Sequence, residues 1–265
     1  MKIVPLVQIL SFRILFFVLG SALSGAVASA AAAEQAPEHY AVMSLIGDEI
    51  SIVHYRPTVR SNLDVNPKQT VAMPDDSFDR AAIVAAEGAI KRAVPAAATT
   101  LLLVSDKTLY ARQQELFESE DASRALVAML GALLKDNGTR YLVLITKHRA
   151  EARMKFDRAR IGSGKISGLG FYLDYQLRTT RNDTGESGAG FVAPFAYLAV
   201  SLVDLQTGAV IRTRSATESH ALSSARSTTS ADPWDALTPE QKVRILRDLA
   251  RLAIDEVMPQ VVAPG

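Results

Sequence analysis

The strongest local chemical signal is a run of basic side chains near the middle of the chain. Seven basic residues in the 19-residue window 147–165 face only two acids, which gives this window a local charge of +5. Such a run attracts anionic partners, for example lipid headgroups, lipopolysaccharide or an acidic protein face. The side chains expected to make that contact are Arg149, Arg153, Lys155, Arg158 and Arg160.

A solvated segment is the alternative interpretation of the same window, because charge runs are usually hydrated or paired within the chain. Four upstream acids are the expected internal partners, namely Glu115, Glu118, Glu120 and Asp121. The two interpretations differ in whether the basic side chains are still unpaired once the chain has folded.

Catalytic motifs are absent from the sequence, although a site could still assemble in space. No Gly-x-Ser-x-Gly and no Ser-x-x-Lys pattern occurs, and no two of the four histidines share a helical metal-ligand spacing. Because catalytic residues need not be neighbours in sequence, a periplasmic hydrolase is the alternative function. Its candidate residues are Asp48, His54, Asp75 and His148. Taken singly, His54 is expected to be structural and Asp75 to cap a helix.

Nucleotide and nucleic-acid binding are excluded on separate grounds. The string Gly162-Ser163-Gly164-Lys165 differs from a phosphate loop, because Ala159 replaces its first glycine and Ile166 its Ser or Thr. The formal charge of +1 is too balanced for a surface that tracks nucleic acid. The chain has no cysteine, which removes zinc-thiolate sites, iron-sulfur clusters and a lipid-modified cysteine. We therefore expect no cofactor and no metal.

The amino terminus has the order of a secretory signal peptide. Lys2 and Arg13 precede an apolar run, and small residues around Ala30 and Ala33 suit cleavage, so residues 1–33 are interpreted as a signal peptide. An uncleaved membrane anchor is the alternative. Cleavage leaves 27 basic and 28 acidic residues and a net charge of −1. The predicted location is the periplasm, where residues 34–39 form a short leader.

Local patterns predict the elements of the first half of the domain. Residues 40–55 are predicted to form a β-hairpin that turns at Gly47-Asp48, so that Leu45 faces Ile50. A short strand at 69–72 and an amphipathic helix from Ser77 to Pro95 follow.

Two apolar runs, 99–104 and 141–145, are typical of buried strands, and a helix is predicted between them at 122–135. This order predicts a βαβ unit whose two strands are adjacent and parallel.

The second half is predicted to contain strands at 171–178, 196–204 and 209–214, then a Ser/Thr/Ala-rich loop at 215–236. A final helix starts at Thr238 with a capping-box pattern. The fold class is therefore α/β or α+β, as a single domain over residues 40–260. It has a mixed sheet with one βαβ unit and antiparallel hairpins, and it ends in an amphipathic helix.

The turn Val203-Asp204-Leu205-Gln206-Thr207-Gly208-Ala209-Val210 and the preceding Gly168-Leu169-Gly170-Phe171-Tyr172 carry a family resemblance. The chain resembles periplasmic α/β domains of outer-membrane assembly proteins. These are the periplasmic domain of the curli secretion channel, the lipoprotein activators of penicillin-binding proteins, and the amino-terminal domain of the Tol β-propeller protein. The resemblance implies a non-catalytic binding domain and transfers no functional residue.

The sequence thus favours an exported, non-enzymatic α/β domain that binds a protein or another envelope component. An anionic envelope component fits the basic window, and self-association into a homo-oligomer is also compatible with the sequence.

Overall fold

An eleven-stranded mixed sheet forms the centre of the computed structural model. The structure describes residues 3–5, 38–57, 66–113, 138–156, 159–180, 187–224 and 232–263, together with 115, 125, 127–130, 134 and 185. The strands of the sheet are β1 (Ile3–Pro5), β2 (His39–Ser44), β3 (Glu49–His54), β4 (Lys68–Ala72), β5 (Ala98–Val104), β6 (Tyr141–Lys147), β7 (Arg149–Glu151), β10 (Lys165–Thr180), β11 (Ser187–Asp204), β12 (Val210–Ser219) and β13 (Leu222–Ser223).

Two short strands, β8 (Met154–Phe156) and β9 (Ala159–Ile161), form a separate hairpin. The helices are α1 (Ser77–Ala93), α2 (Lys107–Arg112) and α3 (Pro239–Val262), with a 3-10 turn at Pro233–Ala236. The chain is thus a mixed α/β single domain with helices packed on a large sheet and a helix at its carboxyl end, as predicted.

The long strand β11 joins two halves of the sheet. The strand order is β1-β5-β2-β6-β11-β10-β3-β4, and β12 and β13 also pair with β11. Tyr197 of β11 pairs with Gly168 in β10, whereas the next residue, Leu198, pairs with Lys147 in β6, and β12 flanks both residues. Because a strand has only two edges, β10 and β6 follow one another along the same edge of β11.

The hairpin predicted at 40–55 is wrong. Strand β2 pairs in parallel with β6, and β3 pairs in parallel with β10, so the run continues in one direction and Leu45 does not face Ile50. The carboxylate of Asp79 explains the difference, because it accepts the N–H groups of Ile46 (2.9 Å) and Gly47 (3.2 Å). These bonds hold residues 45–48 in a step between two neighbours instead of a reversal.

The two strands of the predicted βαβ unit, β5 and β6, are parallel as predicted, but they are not adjacent in the sheet. Strand β2 lies between β5 and β6 and pairs in parallel with both. The predicted burial is confirmed: Leu102 and Val104 are 3% and 7% exposed, and Val143 and Ile145 are completely buried. Local sequence patterns cannot predict that a strand from about 60 residues upstream lies between these two strands. Most of the helix predicted at 122–135 lies outside the described residues, but the residues within it that are described, 125, 127–130 and 134, are helical.

Helices α1 and α3 cover one face of the sheet and share its main hydrophobic core. The predicted start of α3 is confirmed, since the Thr238 side chain accepts the Gln241 N–H, and the Gln241 side chain accepts the Thr238 N–H at 2.8 Å. At the start of α1, Asp75 accepts the Ser77 N–H at 3.1 Å, while Asp76 is the N-cap residue without a side-chain cap bond.

A second cluster covers the other face of the same strands. It includes Tyr110 of α2 together with Val127, Leu130 and Leu134. A third cluster lies between β10, β11 and the segment that leads into the β8–β9 hairpin, with Met154 completely buried in it.

The loop predicted at 215–236 is shorter than expected. Strand β12 continues to Ser219, β13 follows at Leu222–Ser223, and the 3-10 turn occupies Pro233–Ala236. The ladder between β11 and β12 extends to the pair Phe195 and Ser219, which keeps these polar residues in the sheet.

Most of the predicted signal peptide lies outside the described residues. Its residues Ile3–Pro5 form β1, which pairs antiparallel with Leu102–Val104 of β5. Cleavage within 1–33 stays a prediction, as does the uncleaved anchor.

Candidate functional site

The basic window 147–165 folds into short strands at one end of the sheet. Strand β7 pairs antiparallel with β10 and places Arg149 opposite Ser167. In the β8–β9 hairpin, Lys155 lies opposite Arg160. The candidate side chains therefore project from defined backbone positions.

Hydrogen bonds anchor this backbone to the core strands. The Tyr197 hydroxyl accepts the N–H of Arg153 at 2.9 Å and donates to the carbonyl of Glu151 at 3.2 Å. Burial raises the pKa of Tyr197, which keeps this hydroxyl protonated as the donor. The Ser219 hydroxyl accepts the N–H of Lys155 at 3.0 Å. These hydrogen bonds thus fix the backbone at Arg153 and Lys155 to the core strands, while the two side chains remain at the protein surface.

All three lysines of the window form ion pairs. Their partners lie at the start of β3, on β12 and on β7, not among the upstream acids that the sequence suggested. Glu115 instead contacts Arg112, and Glu118, Glu120 and Asp121 lie outside the described residues. The pairs are Lys147 with Asp48 (2.7 Å) and Glu49 (2.9 Å), Lys155 with Glu218 (2.8 Å), and Lys165 with Glu151 (4.0 Å).

The arginines of the window differ from its lysines. Arg149, Arg153 and Arg160 are exposed, and none of them forms an ion pair with any residue that the structure describes. Arg158 lies outside the described residues. Internal pairing therefore accounts for the charge of the lysines and leaves three guanidinium groups available to a partner.

A cleft of about 370 Å³ opens beside two of these arginines. Arg153 and Arg160 line it, together with Glu151 and the segment around Gly162 and Ser163. Gly162 has a φ of +114°, and the Ser163 N–H donates to the Tyr172 hydroxyl at 3.1 Å. The glycine-rich string thus leads into β10, and the cleft presents arginine donors beside the carboxylate of Glu151, which is 4.0 Å from the Lys165 ammonium group.

The four hydrolase candidates do not come together. A larger crevice of about 930 Å³ lies at the carboxyl ends of β2 and β5, and Asp48 and Asp75 line it, but His54 and His148 do not. His54 stacks on Tyr175 with ring centroids 6.0 Å apart. Burial lowers the pKa of His148. The crevice therefore holds two of the predicted carboxylates without a predicted base.

Sequence reasoning missed Asp79, the most connected polar side chain near this crevice. Besides the two backbone N–H groups, its carboxylate accepts the hydroxyls of Ser44 (2.6 Å) and Tyr110 (2.8 Å), and it is only 2% exposed. Burial raises the pKa of Asp79, although these hydrogen bonds oppose the shift. One signal was available, because Asp79 lies on the same helical face as Ala82 and Ile83.

Among the residues that the structure describes, no group of three or more His, Asp or Glu side chains is arranged to hold a metal ion. In the same part of the chain, no helix has the length and apolar character needed to cross a membrane.

Comparison with known proteins gives no family. No family model and no curated protein matches the chain. Among solved structures it is similar to a PelC dodecamer from Paraburkholderia phytofirmans, with 13% identity over 86% of this chain and 90% of that one and a TM-score of 0.33. It is also similar to a putative neuraminyllactose-binding hemagglutinin homolog from Helicobacter pylori, with 9% identity, 92% of each chain covered and a TM-score of 0.36. Similarity at this level does not indicate what the chain binds, and the resemblance to envelope-assembly domains stays a prediction.

Proposed function

We propose that this chain is an exported, non-enzymatic α/β domain that binds an anionic component of the cell envelope through Arg149, Arg153 and Arg160. One observation carries the proposal: these arginines are exposed and unpaired among the described residues, while every lysine of the same window is paired. Lys155, a candidate on sequence grounds, is held by Glu218 and has a secondary part in the proposed surface.

Arginine is the side chain best suited to this task. Its planar guanidinium presents a fork of donors that matches phosphate and carboxylate groups, and it is more weakly hydrated than an ammonium group. Arg153 and Arg160 line the same cleft, so an anionic group that enters it lies near both. The hydrogen bond from the Arg153 N–H to Tyr197 fixes the backbone, which lowers the conformational entropy that binding must remove.

The charge of the whole chain does not explain such binding. Its formal charge is only +1, so attraction has to come from the local surface. Exposed charges act over about 8 to 10 Å at physiological salt, and binding is therefore expected to weaken as salt is added.

A hydrolase is the second candidate, and the structure supports it less. Asp48 and Asp75 share a crevice, but Asp48 is engaged by Lys147 and neither candidate histidine lines that space. General acid–base catalysis requires a group within hydrogen-bond reach of the reacting atoms.

Vesicle co-sedimentation tests the binding proposal. The probe is a vesicle that contains an anionic phospholipid, compared with a vesicle of neutral phosphatidylcholine alone. The variant Arg153→Glu/Arg160→Glu should bind the anionic vesicle about tenfold or more weakly, as expected when surface charge complementarity is reversed. Its melting temperature should not change, because exposed unpaired charges contribute little to stability.

A matched control separates local from overall charge. Lys107→Glu/Arg244→Glu changes the net charge equally at exposed residues outside the basic window. The control should bind like the wild type. Equal loss in both variants, or no loss in either, would contradict a binding surface at Arg153 and Arg160.

A further inference from the structure

Strand β5 forms an outer edge of the sheet. On one side it pairs with β2, and on the other side the described residues contribute only Ile3–Pro5, which cover Leu102–Val104. The outer edge from Ala98 to Leu101 therefore has no strand partner among the described residues. If the predicted signal peptide (residues 1–33) is removed, β1 leaves with it, and no strand among the remaining described residues pairs with the outer edge of β5.

This edge lacks the features that normally prevent strand pairing. Outer strands are usually protected by charged side chains, proline or a bulge. The seven residues of β5 read Ala-Thr-Thr-Leu-Leu-Leu-Val and contain neither charge nor proline. Among the other described outer strands of three or more residues, β1 contains Pro5, and the rest carry charges, namely Lys68 in β4, Arg149 and Glu151 in β7, and Arg212, Arg214 and Glu218 in β12.

We propose that the exported chain forms a homodimer in which the outer edges of β5 from two copies pair antiparallel. The geometry of β1 indicates the orientation, because the edge accepts Ile3 opposite Val104 and Pro5 opposite Leu102 in an antiparallel ladder. A second copy supplies a strand of the same length that is uncharged throughout.

The sequence of β5 is self-complementary in this arrangement. Pairing about a two-fold axis at Leu101 places Leu101 opposite its own copy and Leu103 opposite Thr99. Leu101 and Leu103 are only partly buried in the single chain, so pairing would cover more of their apolar surface. Because β4, β7 and β12 carry charges, the contact closes as a dimer and does not extend into a fibre.

The inference does not depend on anion binding, since β5 and the basic window are different parts of the sheet. A negative result for anion binding would therefore not contradict the dimer, and a negative result for the dimer would not contradict anion binding. It does rest on export, because β1 covers Leu102–Val104 while the predicted signal peptide is present.

A cysteine scan tests the dimer directly, because the chain has no cysteine of its own. Each residue of β5 is replaced singly by cysteine, and the protein recovered from its exporting host is oxidised mildly and analysed without reductant. Facing residues in an antiparallel pair have Cα atoms about 4.5 to 5.5 Å apart, which suits a disulfide. Dimers should therefore peak at one position or two neighbouring positions near Leu101 and be absent for Ala98→Cys.

The control is Thr70→Cys on the charged outer strand β4. No cross-link above that control, or equal cross-linking at every β5 position, would overturn the proposal. A second variant needs no oxidation: Thr99→Lys should raise the dimer dissociation constant about tenfold or more, because an edge lysine opposes pairing. Thr70→Lys should leave it unchanged. Monomeric wild-type protein at every concentration tested would also overturn the proposal.

Discussion

Gly47 and Asp79 are packed so closely that residue 47 has no room for a side chain. The Gly47 N–H donates to both carboxylate oxygens of Asp79 at 3.2 Å, and a Cβ atom at position 47 would lie 2.5 Å from Oδ2. This contact joins the first turn of α1 to the step between β2 and β3. It is the reason that residues 45–48 continue the strand direction.

Gly47→Ala should destabilise the protein by about 1 to 3 kcal/mol, the usual cost of overpacking a well-filled site. The matched control is Gly88→Ala in α1, where an added Cβ meets only Arg92 at 3.5 Å. Alanine is favoured over glycine inside a helix, so the control should gain about 0.5 to 1 kcal/mol. Chemical denaturation of both variants measures the difference, and equal effects would refute the packing at Gly47.

Asp79→Asn should destabilise the protein by about 1 to 3 kcal/mol, since an amide nitrogen would replace one oxygen of a carboxylate that accepts from four donors. The pKa of Asp79 is raised, so the folded state holds more protons than the unfolded state between the ordinary pKa of about 3.9 and the raised value. Wild-type stability from this group therefore falls as pH rises through that window.

Asn does not titrate, so the stability difference between wild type and Asp79→Asn should shrink from acid to neutral pH. Denaturation curves at several pH values measure it. A difference that grows with pH would mean that the hydrogen bonds outweigh burial and that the pKa of Asp79 is lowered.

Local patterns predicted the elements better than their pairing. The apolar run before Val104 and the capping box at Thr238 depend on neighbouring residues, and both were predicted correctly. The position of β2 between β5 and β6 was not, because it depends on partners about 60 and 100 residues away. The false hairpin has the same origin, since Asp79 takes the N–H of Gly47 from outside the local pattern.

The composition of the sequence predicted the candidate surface, but the ion pairs of the folded chain reduce the set of side chains that are available on it. The charge of the window is visible in the sequence, but which cations stay free depends on distant acids. Glu218 and Asp48, which hold Lys155 and Lys147, are about 60 and 100 residues away. The run of charges in the sequence therefore identifies the segment, but it does not show that the lysines are paired and the described arginines are not.

Val143→Ala should cost about 1 to 3 kcal/mol, through lost burial and the cavity that remains. Val143 is completely buried in β6, between β2 and β11. The control is Val84→Ala, because Val84 is 54% exposed on α1. Thermal denaturation should separate the two variants clearly, and a near-neutral Val143→Ala would show that β6 is not central.

The exported protein should begin near Ala31 or Glu34, because the charged start, the apolar run and the small residues before Ala31 form a cleavable signal. Intact-mass analysis of protein recovered from the host measures this. An intact Met1 on membrane-bound protein would instead support the uncleaved anchor.

The vesicle preference of a charge-reversed variant tests the central claim most directly, because the substitutions change the sign of the charge on the proposed surface. Wild-type protein should bind anionic vesicles and ignore vesicles made with a cationic lipid, with binding that weakens as salt is added. Arg153→Glu/Arg160→Glu should lose the anionic vesicles and gain the cationic ones, while Lys107→Glu/Arg244→Glu keeps the wild-type preference. Undiminished binding of the Arg153→Glu/Arg160→Glu variant to anionic vesicles, at low and at high salt, would contradict a function based on these arginines.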